Sequence, residues 1–240
     1  MKCFKYCFSL ISICTFLISC SNTTAQQQQI LSTQPETLSP NKNWWYARFV
    51  INWPENESPH WYIDVLLADK VIRPVLLQNH EQIKLWRFHR RAGRKWGHIF
   101  SFIFYAEPEV AKQVYREIGQ NPILLHLLDD EVVKKYTTEN LNNLKRPNIE
   151  DTSDKHWNEI IQKSWPYYIM GVSEMWLDMI NLLVTFNKEK QEPILEHYLH
   201  IQEAITKLWE NEGGHAFLHH LNALFAYQPV AITERRLMNY

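Results

Sequence analysis

Two stretches of this chain bring reactive side chains together at spacings that could do chemistry. The first, Arg87-Phe88-His89-Arg90-Arg91-Ala92-Gly93-Arg94-Lys95-Trp96-Gly97-His98, holds five cationic side chains and two histidines in twelve residues. Side chains alternate between faces along a strand, so Arg87, His89 and Arg91 would align on one side, with Trp86, Phe88 and Arg90 on the other. Guanidinium groups in such a row can clamp a carboxylate or phosphate through paired hydrogen bonds. The alternative is a solvated strand edge and turn whose charges discourage pairing with neighbours. Arg87 and His89 lie between aromatic residues in the strand interior, where a charge needs a partner.

The second stretch is Gly213-Gly214-His215-Ala216-Phe217-Leu218-His219-His220-Leu221-Asn222. On an α-helix His215, His219 and Asn222 stack on one face. Two histidines four apart can share a metal, but zinc needs further donors, and His197 and His200 on the preceding helix are the obvious ones. The zinc-protease pattern has Glu after its first His, and here that residue is Ala216. Acid/base work by His219 or His220, an anion held at the helix start, or polar packing beside the double glycine are the other readings. The candidate catalytic residues are therefore Arg87, His219 and His220, and the candidate ligand-binding residues are Arg87, His89, Arg91, His215 and Asn222. No metal or other cofactor is expected.

The elements that must position these residues are legible in the periodicity. Trp44 to Trp53 is aromatic and β-branched and reads as a strand, with Trp45, Ala47, Phe49 and Ile51 on one face. Trp61 to Leu77 has helical spacing, with Pro74 near its end. Ile83 to Arg91 and His98 to Tyr105 form a hairpin around Ala92 to Gly97. Helices are expected at Val110 to Ile118 and from Asn121-Pro122 to Leu128, and a last strand at Val132 to Thr138. This order is β-α-β-β-α-β, so the expected fold class is α+β: a ferredoxin-like antiparallel sheet with a helical C-terminal half. In that half the sequence predicts a helix capped within Asp151 to Asp154 and ending at Ser164. A second starts at Pro166, a third runs from Pro193 to Glu212 until Gly213-Gly214 stops it, and a fourth spans His215 to Tyr227. The sheet-containing half would be residues 44–147 and the helical half 148–240, together one globular domain.

All four cysteines lie in the first 20 residues. Lys2 and Lys5, a short apolar run from Phe8 to Ile18, and Leu17-Ile18-Ser19-Cys20 have the order of an export signal, too short for a spanning helix of about 20 apolar residues. The run resembles the bacterial lipobox, which implies cleavage after residue 19 and acylation, palmitate included, at Cys20. Residues 20–43, with Gln26 to Gln29, Pro35 and Pro40, read as a tether with a reach of about 25 Å. Ser21, where inner-membrane lipoproteins often have Asp, implies the periplasmic face of the outer membrane. Processing would remove Lys2 and Lys5 and turn a formal charge of −1 into −3, which does not suggest nucleic acid as a partner. It would also leave Cys20 as the sole cysteine, so disulfides, thiol catalysis and cysteine-bound zinc are not expected. All ten tryptophans follow Cys20, either as core or as the lining of a cleft.

From Trp44 to Tyr105, with the aromatic strand, the helix carrying Asp64, Leu66, Leu67 and Pro74, and the strands WRFHR and HIFSF, together with the late His220 and Asn222, the chain resembles the elimination domain of lantibiotic dehydratases and its thiopeptide relatives. That resemblance implies a ferredoxin-like core, a peptide-binding cleft, and roles for a strand arginine at Arg87 and a late-helix histidine at His220. The third strand, His98 to Phe102, lacks the arginines the family carries there. The leading expectation is a membrane-anchored lipoprotein that binds a small anionic ligand or an envelope protein through an aromatic and basic cleft. An elimination or transfer enzyme using Arg87 with His219 or His220 is the alternative.

Overall fold

A computed structural model describes residues 41–187 and 192–229, which belong to one compact unit, Ser39–Tyr240. The expected signal peptide, Cys20 and nearly all of the expected tether lie outside the described residues. The first strand, β1 (Asn43–Ile51), buries Trp45, Ala47, Phe49 and Ile51 on one face, as its alternation predicts. It begins at Asn43, which is buried and takes the N–H of Arg146 on its side-chain oxygen at 2.7 Å.

After β1 come α1 (Trp61–Leu66), a π-helical turn (Leu67–Ile72) and α2 (Arg73–Gln78), continuous through Pro74. Strands β2 (Leu85–Gly93) and β3 (Gly97–Ala106) form the hairpin, in which Gly97 takes a φ of 77° that a side chain would strain. Helices α3 (Pro108–Gly119) and α4 (Pro122–Asp129) lead to β4 (Val133–Thr138). The sheet order is β2-β3-β1-β4 and every neighbouring pair is antiparallel. The chain is thus of the α+β class, a four-stranded antiparallel sheet with a helical C-terminal half.

One sheet face carries the main core, where Phe49, Phe88, Phe100, Phe102 and Phe104 meet apolar residues of every helix from α1 to the sixth. On the other face Trp44, Leu85, Ile103 and Tyr105 form a smaller cluster. There the Trp44 indole donates to the carbonyls of Asn148 and Ile149, and the Tyr105 hydroxyl to that of Pro147 at 2.6 Å. These bonds strap the chain after β4 across the sheet and fix a 3-10 turn (Ile149–Thr152), with Asn148 and Asp151 as a capping box.

The helical half differs from expectation in two places. The helix expected from Asp151 to Ser164 and the one expected from Pro166 are a single helix, α5 (Glu159–Phe186), capped by Asn158. Proline inside a helix frees the carbonyl four residues earlier. Here that carbonyl, Gln162 O, accepts from the Ser153 hydroxyl at 2.7 Å, so the helix runs on. The double glycine likewise does not stop α6 (Ile194–Gly213), because Gly214 keeps helical angles and the chain passes through a π-helical turn (Gly214–His219) into α7 (His220–Leu224). Gly213 meets a packing need instead. A Cβ there would lie 2.9 Å from Cε3 of Trp209, whose ring lies over the backbone.

Among the described residues α5 is the one helix with the length and composition to cross a membrane. It packs along the sheet edge, burying Ser173, Leu177 and Ile180. Ser173 Oγ accepts from the N–H of Phe88 at 3.1 Å and donates to Ile169 O at 2.8 Å, capping a backbone donor that edge strand β2 would otherwise leave open. Ser173→Ala is expected to cost about 1–3 kcal/mol, the penalty for an orphaned buried donor, read as a lower urea midpoint with unchanged slope.

Candidate functional site

The β2 edge, the residues after the 3-10 turn and α5 enclose a cleft of about 760 Å³. Arg87 and His89 enter it from the strand, and Trp157, Trp165, Trp176 and Trp209 supply aromatic walls. Seven of the ten tryptophans thus divide between core and cleft: Trp44, Trp45 and Trp86 are buried in the two apolar clusters, and these four line the cleft.

Arg87 is held on two sides. Its Nε donates to Thr152 Oγ1 at 2.9 Å, and its guanidinium carbon lies 5.0 Å from the centre of the Trp165 ring. That pose depends on the strap, since Trp44 and Tyr105 fix the turn that presents Thr152. Nε is used, and the two terminal nitrogens remain for a ligand. Among the described residues no carboxylate comes within ion-pair distance of Arg87. Burial pushes its pKa below the usual arginine value, with Tyr46 opposing.

Cross-strand register carries the positive field further. Arg48 of β1 pairs with Ser101 of β3, which pairs with His89 of β2, so Arg48 and His89 share a row on the same face. Arg91 is two residues further along β2. The protein crowding around the His89 ring, followed by the charges of Arg87, Arg91 and Arg48, lowers its pKa from 6.5. Because the folded-state pKa is the lower one, the unfolded chain binds more protons just below pH 6.5. His89 thus lends stability that is complete above that pH and lost as pH falls through the folded pKa.

Arg90 faces the other way, as alternation predicts, and takes part in a buried group that the sequence reading missed. Its Nε donates to Asp64 Oδ2 at 2.8 Å, and its Nη2 to the Trp61 carbonyl and Gln202 Oε1, both at 2.9 Å. His98 Nε2 lies 3.0 Å from Asp64 Oδ1, off the hydrogen-bonding direction, and Asp64 and His98 are both fully buried. Neither residue lines the cleft. The group ties α1, β2, β3 and α6 together and holds Arg90 at the cleft wall, 4.8 Å from the Trp176 ring centre.

The C-terminal histidines form their own cluster. The π-helical turn brings His215, His219 and His220 together, with ring centres 5.2–5.4 Å apart, where α-helical spacing had paired His215 and His219 with Asn222. Tyr227 reaches His219 Nε2 with its hydroxyl at 3.2 Å, and Asn222 gives its carbonyl to the closing turn. His197 and His200 are not their partners, since the Nδ1 atoms of both donate to Glu192 at 2.9 Å. Glu192, Glu196 and His200 are the one group of three among the described residues whose ligand atoms come within 4.8 Å of one another.

His220 lines a second cavity of about 650 Å³, with Phe217, Leu221 and Leu224. The two cavities share Val172, Met175 and Trp209 as walls, but Arg87 lines only the first and His220 only the second. Fold and site together define an α+β domain with a basic, tryptophan-lined cleft at one sheet edge. No protein-family model matches the chain, and no match was found among curated proteins or solved structures.

Proposed function

We propose that this is a lipid-anchored binding protein of the bacterial envelope, tethered through Cys20 at the periplasmic face of the outer membrane, which holds an anionic ligand on Arg87. One observation carries the binding half: a desolvated guanidinium, fixed by Thr152 and Trp165 and with no carboxylate in ion-pair distance among the described residues, opens into a cleft of ligand size. The anchoring half rests on the sequence from Lys2 to Cys20. Binding is favoured over the elimination reading because Arg87 and His220 line different cavities and His219 lines neither, whereas elimination needs the anion-holding and acid/base groups to converge on one reacting centre.

Titration with sulfate or butyl phosphate, followed by tryptophan fluorescence, tests the ligand half. Saturable quenching is expected, and its absence for both anions would sink the reading. Metabolic labelling with palmitate tests the anchor. Label is expected in the wild-type chain and absent from Cys20→Ser.

The lowered pKa of His89 makes a further prediction. An anion beside it favours the protonated ring, so sulfate binding takes up a proton and strengthens as pH falls below about 6.5. Calorimetry in two buffers of different ionisation enthalpy should detect that uptake, and His89→Asn should abolish it.

A further inference from the structure

The ligand proposed for Arg87 has room to be more than a small anion. Beyond the shared walls Val172, Met175 and Trp209, the second cavity is lined mainly by apolar side chains of the π-helical turn, α7 and α5: Phe217, Leu218, Leu221, Leu224 and Tyr168. Trp209 stands between the two cavities, its ring near-parallel to Phe217 at 6.2 Å and set against Gly213. Several of these side chains are exposed: Leu224 is 83% exposed, Trp209 53% and Leu218 50%. Exposed apolar groups this concentrated mark a binding surface. One end of the path has a cation that makes no ion pair among the described residues, and the other end is apolar.

Resting on the reading of Arg87 as an oxyanion site, we infer that the ligand is a single-chain amphiphile. Its terminal phosphate or carboxylate lies on Arg87 and its alkyl chain runs past Trp209 into the groove of the second cavity. A protein helix would fill the groove but give Arg87 no oxyanion except through an acidic side chain, and a small anion would leave the groove empty. Charge at one end and apolar surface at the other are together met by an anionic lipid-like molecule.

The test uses the full chain and alkyl phosphates below their micelle concentrations. Dodecyl phosphate is expected to bind at least about 100-fold more tightly than butyl phosphate, because each buried methylene adds roughly 0.8 kcal/mol and only part of the chain is covered. A dodecyl phosphate with a photoreactive diazirine on its last carbon should attach within residues 216–224 or at Tyr168, and Arg87→Gln should raise the probe concentration needed for that labelling by about 10- to 100-fold. Leu224→Gln, at a site too exposed to disturb folding, should weaken dodecyl phosphate and leave butyl phosphate unchanged, and Leu221→Gln should do the same. Equal affinities for the two chain lengths would overturn the amphiphile and leave the anion site standing. Labelling of residues 216–224 at an unchanged probe concentration in Arg87→Gln would overturn the anion site itself.

Discussion

Arg87→Gln is expected to weaken sulfate and butyl phosphate binding by about 10- to 100-fold while changing unfolding stability by no more than about 1 kcal/mol. The loss in affinity is that of one to two hydrogen bonds to a charged group, worth about 1.5–3 kcal/mol. The small change in stability follows from what Arg87 lacks. It gives up a bond to Thr152 and a stacking contact with Trp165, but no ion pair among the described residues breaks and a partly desolvated charge is removed. A structural arginine would behave in the opposite way, with a large loss of stability and no effect on anions. Fluorescence titration and urea unfolding of the same preparation separate the two. Unchanged affinity for both anions would show that Arg87 does not carry the site.

Asp64→Ala is expected to have the largest effect on folding, about 3–5 kcal/mol. Asp64 is the carboxylate that both Arg90 and His98 approach, and its removal leaves a guanidinium and an imidazole in a region where Asp64 and His98 have no exposure. Both α1 and α6 loosen, since Arg90 also bridges to Trp61 and Gln202. Replacing the whole group, Asp64→Leu with Arg90→Met and His98→Leu, should recover most of the loss, because apolar residues of similar volume need no counter-charge. If the triple variant is no more stable than Asp64→Ala, lost packing rather than uncompensated charge is the cause. Urea unfolding with coincident fluorescence and circular dichroism measures all three chains.

Much of the frame was legible because it depends on local period. The alternation of Trp45, Ala47, Phe49 and Ile51 gave β1 and its inward face, and the same two-residue period put Arg87, His89 and Arg91 opposite Arg90. Expectation and structure differ where a particular side chain reverses a local preference. Pro166 reads as a helix start, but Ser153, thirteen residues earlier, supplies the hydrogen bond that the free Gln162 carbonyl needs. Gly213-Gly214 reads as a stop, but Trp209 requires the absent Cβ of Gly213. α-Helical spacing groups His215 and His219 with Asn222, and the π-helical turn puts His220 there instead.

The sequence by itself determined the α+β class, the antiparallel hairpin and the row of cationic side chains on one strand face, because hydrophobic period and turn chemistry act over a few residues. It also placed every cysteine at or before Cys20, outside the globular part. The tertiary structure decided which of those cations are neutralised. Arg90 finds Asp64, 26 positions away, and Arg87 finds Thr152, 65 positions away, a hydroxyl instead of a carboxylate. Which charge is paired and which is left open depends on contacts between elements remote in sequence, where burial makes an unmet charge costly, and no local pattern encodes that difference.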